Sequence, residues 1–598
     1  MTNAAPETKE TSQPDGMRMT GAEILVRALQ DQGVDTIFGY PGGAVLPIYD
    51  ALFLQNTITH VLSRHEQGAV HAAEGYARTT GKVGAVLVTS GPGATNAVTG
   101  LTDALLDSTP LVCFTGQVPT SLIGTDAFQE ADTVGITRHC TKHNYLVRDV
   151  NQLAATIHEA FHVARSGRPG PVVIDLPKDV QFGTGLYQSP SQMVSHYHPK
   201  TTPDREALAK AVDMLAQADQ PIVYTGGGVV NSGPEACALL QEFMHMTGFP
   251  CTSTLMGLGA FPTSDKHFLG MPGMHGTYES NMAMHACDVM LNVAARFDDR
   301  VTGNIAGFAP TSKKIHIDID RSSINKCIKV DVPIIGDAKE ALAMMIEIWK
   351  ERGYKAKPLT EWWAKIDEWR AFKSLSYRQE GDVIKPQYAL ERLRDLTLDK
   401  DIYFATEVGQ HQMWAAQFLR FDKPYRLITS GGLGTMGYGL PAAIGVQMAH
   451  PDSIVVDVAG DASILMNIQE ICTAVQYKLP VKIFILNNQW MGMVRQWQEM
   501  LHDSRYSQTS TEVQPDFVRL AEAFGGAGIR VEKVDQLDQA ILDMMKITDR
   551  PVIVDVCVDA MENCLPMIPS GKNHNEILLP NSGTDIGKAI TGQGKTLV

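Results

Sequence analysis

Short apolar runs alternate along this chain with longer stretches of helical periodicity, and glycine, proline or small polar residues close most of them. The runs at 83–89, 111–115, 221–225, 289–293 and 481–486 are apolar on both faces. A strand buried on both sides of a parallel sheet reads this way, whereas a strand with one wet face alternates. Further strands are expected at 172–175, 314–319 and 453–459, and helices at 22–32, 66–80 and 464–479. Strand, helix and strand in that order make βαβ units with right-handed crossovers, which predicts an α/β fold of doubly wound parallel sheets.

The rhythm recurs in three blocks. A first domain is expected over 20–186 and a third over 385–558, wound alike, with a central domain over 204–353 between them. A linker rich in Ser, His, Pro and Gln (183–203) closes the first block. The charged stretch 351–373, carrying Trp362, Trp363 and Trp369, reads as an amphipathic connector within 354–384. Residues 1–19 read as a disordered tail. Residues 559–598, punctuated by Pro566, Pro569, Gly571, Pro580 and Gly583, read as a C-terminal tail draped over the surface.

Composition acts mainly by exclusion. With 598 residues, 44% hydrophobic and 20% charged, the chain can bury several separate cores. A net charge of −15 argues against nucleic acid or an anionic membrane as partner. No stretch approaches the roughly 18 uninterrupted apolar residues of a membrane helix. The polar N-terminus, with Glu7, Glu10 and Asp15, does not read as a targeting peptide. Nine scattered cysteines without a CxxC pair fit reduced core thiols, so a cytoplasmic location is expected. His139 and His143 flank Cys140 at i,i+4 spacing but lack a further ligand pair, and they read as ordinary residues. The 26 methionines read as core filler, except Met491 and Met493, which flank the motif described next.

The chemistry concentrates where two expected strands end. Gly460-Asp461-Ala462-Ser463 follows one run and Asn487-Asn488 follows the next. A right-handed crossover brings both ends to one edge of a parallel sheet, where open α/β sheets bind ligands. Asp461 and Asn488 would there present a carboxylate and an amide oxygen. Two hard oxygen donors with open positions suit Mg²⁺, which takes few protein ligands plus phosphate oxygens. A plain turn with an N-cap also explains Gly-Asp after a strand; the spacing within one crossover unit favours a metal-bound diphosphate.

The same segment resembles the thiamine-diphosphate (ThDP) motif, Gly-Asp-Gly followed at a distance by Asn-Asn, with Ala462 in place of the third glycine. The strings FGYPGGA (38–44), TSGPGATN (89–96), TGQVP (115–119), TDAFQEAD (125–132), RFDDRVTGN (296–304), VGQHQMWA (408–415) and GGLGTMGYGLPAAIG (431–445) stand in one family's order. Together, over nearly the whole chain, they resemble the catalytic large subunits of acetohydroxyacid (acetolactate) synthases, the biosynthetic FAD-containing type of the ThDP superfamily. The resemblance implies three doubly wound parallel-sheet domains: pyrimidine-binding, central FAD-binding and diphosphate-binding. It also implies a transferase of a two-carbon aldehyde unit. Pyruvate would be decarboxylated and joined to pyruvate or 2-ketobutyrate, giving 2-acetolactate or 2-aceto-2-hydroxybutyrate for valine, leucine and isoleucine synthesis.

Roles carry over by resemblance, residue by residue. Glu66, in EQGAVHAAEGYAR (66–78), matches the glutamate that a partner subunit sets against N1′ of the aminopyrimidine; on its own, a Glu in a helix's first turn is explained by the dipole. Gly43 would present its N–H to the reacting oxygen. Gln129 would lie near the substrate and Phe128 line the pocket. Val408, Gly409, Gln410, His411, Gly434 and Met436 would hold the thiazolium and pyrimidine, with Met491, Gly492 and Met493 beside them. Gly460, Asp461, Ala462 and Ser463 would cradle the diphosphate at a helix N-terminus. Asp461, Asn488 and the carbonyl of Trp490 would bind Mg²⁺. Gln489-Trp490 departs from the family's usual polar pair, which a carbonyl ligand tolerates.

Arg168, Gly226, Gly227, Gly228, Thr254, Leu255, Met256, Gly273, His275, Arg296, Asp298, Arg300, Asp318, Ile319 and Asp337 match positions that contact FAD, which does no net redox work in this reaction. The three successive glycines lack a GxGxxG pattern and also fit an ordinary turn. Trp497 matches the residue that meets the acceptor's alkyl group, and it borders an inhibitor channel with Pro119, Lys178, Met274 and Asp299. A buried core aromatic explains Trp497 as well. Glu66 from one chain and Asp461 from another imply a homodimer or homotetramer, and the resemblance implies a separate small regulatory subunit. Among superfamily rivals, glyoxylate carboligase lacks the glutamate and catabolic acetolactate synthases are not expected to carry RFDDR. Pyruvate oxidase is a third. Intact Glu66, Asp461 and Asn488 argue against an inactive scaffold.

Overall fold

The computed structural model describes residues 16–580, so most of the expected N-terminal tail and the end of the C-terminal one lie outside the described residues. The chain forms two compact units. The first comprises the described residues up to Val70, Val83–Leu105 and Pro110–Tyr197. It holds a six-stranded parallel sheet ordered Thr59–Leu62, Thr36–Tyr40, Gly84–Val88, Leu111–Gln117, Pro171–Pro177 and His143–Leu146. The helix Gly21–Asp31 starts at a capping box in which Thr20 and Glu23 each bond the other's backbone. Its Ile24, Leu25 and Leu29 join Ile157 and Phe161 of the helix Leu153–Arg165 over Val112, Phe114 and Ile174 of the sheet.

The second unit carries two parallel sheets. One is five-stranded, ordered Cys251–Ser253, Pro221–Thr225, Val289–Val293, Lys313–Asp318 and Val332–Ile335. The helix Thr360–Arg370 within the expected connector buries Trp362 and Trp369 in the core around this sheet, and the Trp362 indole donates to the carbonyl of Pro221 at 3.0 Å. The other sheet is six-stranded, ordered Leu427–Ile428, Ile402–Thr406, Ile454–Gly460, Lys482–Asn487, Val552–Cys557 and Ala527–Val531. In chain order both six-stranded sheets run second, first, third, fourth, sixth, fifth, so the rhythm shared by the first and third blocks is a shared winding. Side chains of the last sheet split by parity. Val456, Val458, Phe484 and Leu486 enter one core, while Val455, Ala459, Ile483 and Ile485 enter another. That two-sided burial is why the strand sequences carry no polar face.

Two expectations fail. The stretch 464–479 is not one helix but two 3₁₀ turns, Ile464–Met466 and Ile468–Glu470, followed by the short helix Ile471–Gln476. Asn467 breaks it: its backbone sits at φ −132°, ψ 28°, and its side chain donates to the carbonyl of Gly437 at 2.7 Å. A side-chain bond to a distant loop outweighs local helix propensity here. Nor does the segment after Asp559 drape over the surface, since Cys564, Met567, Ile568, Ser570 and His574 are buried. The fully buried Arg495 donates to the carbonyls of Met561 (3.4 Å) and Glu562 (3.1 Å) and to Asn563 Oδ1 (2.6 Å). A segment so held is a strap. All nine cysteines are unpaired, six of them buried. No described helix is long and apolar enough to cross a membrane.

Candidate active site

Strands Ile454–Gly460 and Lys482–Asn487 lie side by side with Gly460 level with Leu486, so Asp461 and Asn488 emerge together at the carboxyl edge of the sheet. Asp461 is 1% exposed. Its Oδ2 accepts from Thr511 Oγ1 at 2.6 Å and from Gln514 Nε2, while Oδ1 is buried with no hydrogen-bond partner. Burial pushes the Asp461 carboxyl up to about 6, against the hydrogen bond from Thr511 and the nearby backbone amides of Asp461 and Asn488. An unpaired buried carboxylate oxygen costs about 1–3 kcal/mol or more unless a donor or cation meets it. Asn488 Oδ1 accepts from the N–H of Trp490 at 3.1 Å, and its Nδ2 donates to Gln410 Oε1 at 3.3 Å. Trp490 sits opposite Ser510, but the two bonds of that bridge run from Met491 N to Thr509 O and from Thr511 N to Gln489 O, so the bridge does not use the Trp490 carbonyl. Carboxylate, amide and carbonyl oxygens are the donor set that Mg²⁺ takes. Gln489 lies at φ +61°, a left-handed conformation costly for this side chain, and Asn487 Oδ1 holds its N–H at 3.3 Å.

A chain of amides ties this corner to the strap. Gln410, at the start of the helix Gln410–Phe418, donates to Gln496 Oε1 at 2.8 Å and to the carbonyl of Glu562 at 3.1 Å. Gln496 in turn accepts from Cys564 N–H (2.8 Å) and donates to its carbonyl (3.1 Å). Gln496 lies in a segment, 493–497, that sequence reading used only for Met493 and Trp497, and the strap, Thr511 and Gln514 carry no motif, so none of them was given a role. His411 is buried with its Nε2 3.5 Å from Ser463 Oγ, and burial lowers it to about 3, so the ring is neutral. Ser463 Oγ also donates to the Gly460 carbonyl at 3.2 Å. Ala462, Val408, Gly409 and Met436 are partly buried near these turns, and Gly434 is exposed. Met491 precedes the helix Gly492–Leu501, on which Gly492 and Met493 form the first turn. Trp497 on that helix and Met274 pack on one apolar cluster with Met500, Leu501 and Met567, so two of the expected channel residues come together. The Asp299 side chain is largely exposed beside Arg300.

Below the edge lie two buried carboxyls that no motif signalled. Glu407 accepts the amides of Gly437 (2.6 Å) and Leu440 (3.2 Å) at the start of the helix Gly439–Ala449. Asp457, on the strand Ile454–Gly460, is fully buried and neither of its oxygens has a hydrogen-bond partner. A Cβ on Gly439 would lie 2.2 Å from Asp457 Oδ1, so only glycine admits this approach. Burial raises both carboxyls, and Glu407 raises Asp457 further. Helix amides oppose the rise at Glu407 and nothing opposes it at Asp457, so Asp457 holds its proton the more firmly of the pair.

In the first unit Glu66 opens the helix Glu66–Thr80, is buried, and accepts from Asn96 Nδ2 at 3.0 Å on Oε2. Asn96 is the residue that sequence reading left without a role, although TSGPGATN contains it. Gly43 begins a 3₁₀ turn, and a Cβ there would meet only open space. Gln129 adopts φ +59° in a loop that Glu130 closes through the amides of Gly124 and Ala127, and Phe128 stands 87% exposed. Asp179, next to Lys178, accepts from the N–H of Thr120 at 3.0 Å, which brings Lys178 and Pro119 to neighbouring turns. Arg168 lies in the turn before the strand Pro171–Pro177. His139 lies in a turn and His143 opens the strand His143–Leu146, so the two do not share a helix face.

The remaining flavin candidates line the carboxyl edge of the five-stranded sheet. Gly226, Gly227 and Gly228 follow Pro221–Thr225, and Thr254, Leu255 and Met256 follow Cys251–Ser253. Arg296, Asp298 and Arg300 follow Val289–Val293; Asp318 and Ile319 end Lys313–Asp318; Asp337 caps the helix Ala338–Glu351. The strand order reverses between the first two of these strands and Val289–Val293, and a Cβ on Gly226 would lie 2.3 Å from the Ala294 carbonyl. Close backbone approach at a switch point, with guanidinium, hydroxyl and carboxylate groups at the strand ends, suits a dinucleotide. Arg296 pairs with Asp298, and Asn281 holds Gly273 from both sides at 2.8 and 3.0 Å. His275 is buried, lowered to about 4 by burial, and its Nδ1 lies 3.2 Å from the carbonyl of Pro566 in the strap.

Comparison with known proteins identifies the family. Residues 19–136 match the family described as thiamine pyrophosphate enzyme, N-terminal TPP binding domain; 208–345 match its central domain and 407–556 its C-terminal TPP binding domain. The chain is 50% identical over 569 residues to the acetolactate synthase isozyme 3 large subunit of Escherichia coli (strain K12), covering 94% of this chain and 98% of that one. It is 47% identical over 566 residues to the acetolactate synthase large subunit of Haemophilus influenzae, again 94% and 98% covered. With the acetolactate synthase of Mycobacterium bovis the identity is 46% over 567 residues, covering 94% and 91%.

The Asp457 proton gives a pH dependence. A carboxyl raised in the folded state adds stability that is complete below its unfolded value, about 4, and is lost as pH rises toward the folded value. Asp457→Asn, which mimics the protonated form, is expected to fold and to flatten the fall of melting temperature above pH 5. One proton is worth about 1.4 kcal/mol per pH unit. Calorimetry of both proteins from pH 5 to pH 8 checks this; parallel curves would place the proton elsewhere.

Proposed function

The chain belongs to the acetolactate synthase large subunits, thiamine-diphosphate enzymes of branched-chain amino-acid synthesis, and from that premise we propose which of its residues do the work. Asp461 Oδ1, Asn488 Oδ1 and the Trp490 carbonyl hold Mg²⁺, with the turn Gly460–Ser463 against the diphosphate. One observation carries this reading: the buried Asp461 oxygen that has no protein donor. Bound there, thiamine diphosphate supplies the carbon nucleophile and the electron sink that decarboxylation of pyruvate and carboligation need.

The chain's own part is binding, orientation and proton control. Gln410 and neutral His411 fix the two turns that face the cofactor, through Gln496 and Ser463. Glu66, with Oε2 held by Asn96, would offer Oε1 to ring nitrogen N1′ of the bound cofactor and would relay a proton there, from the chain opposite in a homodimer or homotetramer. Gly43 N–H orients the reacting carbonyl, Gln129 the substrate, and Phe128 closes an apolar wall against stray protons. Trp497 and Met274 meet the acceptor's alkyl group, near the channel bordered by Pro119, Lys178 and Asp299. The strand ends from Gly226 to Asp337 would hold FAD in a structural role, and the RFDDR string supports the presence of the flavin; Arg168 is expected to contact it as well. The curated relatives are named large subunits, which supports a separate small regulatory subunit for this chain.

Three substitutions test these assignments. Asp461→Ala is expected to keep the circular dichroism spectrum while ThDP affinity, titrated by tryptophan fluorescence, collapses; unchanged affinity would move the metal site. Glu66→Gln is expected to bind ThDP yet slow C2-proton exchange of the bound cofactor by about 10²- to 10⁴-fold, and a rate within about twofold of wild type, a negligible barrier change, removes Glu66 from the mechanism. Trp497→Leu is expected to erode the preference for 2-ketobutyrate over pyruvate, within the roughly 10- to 200-fold that one methyl group is worth in an apolar pocket. A competition assay with both acids reads this, and an unchanged product ratio makes Trp497 a packing residue.

A further inference from the structure

The central domain carries a group of side chains that the ThDP reaction does not use. Among the described residues, one cluster of three His, Cys, Asp or Glu side chains brings its donor atoms within 4.8 Å of one another: His245, Asp265 and His267. His245 sits in the last turn of the helix Pro234–Thr247. Its Nε2 lies 2.7 Å from Asp265 Oδ2, and His267 Nδ1 lies 2.8 Å from Asp265 Oδ1. One carboxylate is thus flanked by two imidazoles from different elements.

The donors are held in place before any ion arrives. Asp265 N–H donates to the Pro262 carbonyl (3.1 Å) and Phe268 N–H to the Asp265 carbonyl (3.0 Å). The His267 carbonyl accepts from Cys251 N–H at 2.8 Å, which fixes His267 to the edge strand of the five-stranded sheet. Arg370 Nη2 donates to the carbonyls of Lys266 (2.9 Å) and Phe268 (3.0 Å), pinning the loop from the other side. The His267 N–H also bonds Asp265 Oδ1 at 2.9 Å, so the carboxylate cannot rotate and Oδ2 stays aimed at His245. Phe261 and Trp363 set ring edges against His245 and His267. The Asp265 and His267 side chains are 15% and 12% exposed, whereas that of His245 is 47% exposed and leaves one side open to water.

We propose that His245, Asp265 and His267 form a binding site for a divalent transition metal, Zn²⁺ by preference. Two imidazoles and a carboxylate are a borderline donor set that selects zinc-like ions over Mg²⁺, and three protein ligands plus water complete a tetrahedron. Metal–ligand distances of about 2.0–2.2 Å put tetrahedral donors about 3.4 Å apart, so each imidazole nitrogen, now 2.7 or 2.8 Å from a carboxylate oxygen, moves outward by roughly 0.6–0.7 Å on binding. Each imidazole turns its lone pair inward by moving its proton to the other ring nitrogen, and no group need leave. The ion would bolt the end of the helix Pro234–Thr247 to the loop before the residues 268–275.

The test uses untagged holoenzyme saturated with Mg²⁺ and ThDP, so that the first metal site is filled. Zn²⁺ is titrated in competition with a chromophoric chelator, and Co²⁺ is followed by its visible absorption. Wild type is expected to take one Zn²⁺ per chain and to give the strong visible bands of four-coordinate Co²⁺. His245→Ala, on an exposed ring, and His267→Ala are each expected to weaken Zn²⁺ at least about tenfold and to lose the Co²⁺ bands, with acetolactate formation by His245→Ala unchanged. Wild-type affinity no higher than that of both variants, or Co²⁺ spectra of six-coordinate type throughout, overturns the site. Neither result bears on Asp461.

Discussion

A carboxylate buried at the mouth of a parallel sheet with one oxygen unanswered is an expensive thing to fold, and the diphosphate domain is organised around Asp461. Thr511 and Gln514 satisfy Oδ2 and leave Oδ1 turned to where a cation can stand. Parallel pairing of Ile454–Gly460 with Lys482–Asn487 puts Asn488 beside it without further adjustment. From Asn488 the hydrogen bonds continue through Gln410 and Gln496 to the strap at Glu562 and Cys564. The corner at Asn488, the helix that bears Trp497 and the C-terminal segment are therefore joined by one polar network wrapped in apolar packing, and such networks hold geometry only when every member is satisfied.

The pair Glu407 and Asp457 extends the same economy of charge one layer down. Glu407 accepts the amides of Gly437 and Leu440 at the start of Gly439–Ala449, which fixes the loop that carries Met436. Asp457 has no donor and keeps its proton. A proton held within such a buried pair avoids the repulsion of two anions.

Parallel sheets were the most legible part of the chain, because two-sided burial writes uninterrupted apolar runs: 221–225 and 289–293 coincide with strands Pro221–Thr225 and Val289–Val293. The strand-end positions of Asp461 and Asn488 were legible for the same reason. What escaped depends on contacts distant in sequence. Asn467 unwinds an otherwise helical pattern because Gly437 is within reach. The strap looks like a tail by its prolines and glycines, yet Arg495 and Gln496 hold it. Asn96 and Gln514 have ordinary sequence settings, and only the fold shows that they answer Glu66 and Asp461. Cofactor roles came from resemblance and not from spacing alone.

Anomalous scattering from crystals of the Mn²⁺-loaded holoenzyme tests the central claim most directly. The account predicts one peak per chain within coordination distance of Asp461 Oδ1, Asn488 Oδ1 and the Trp490 carbonyl, with Thr511 and Gln514 still on Oδ2. A peak elsewhere, with Asp461 Oδ1 turned to a protein donor, would contradict it.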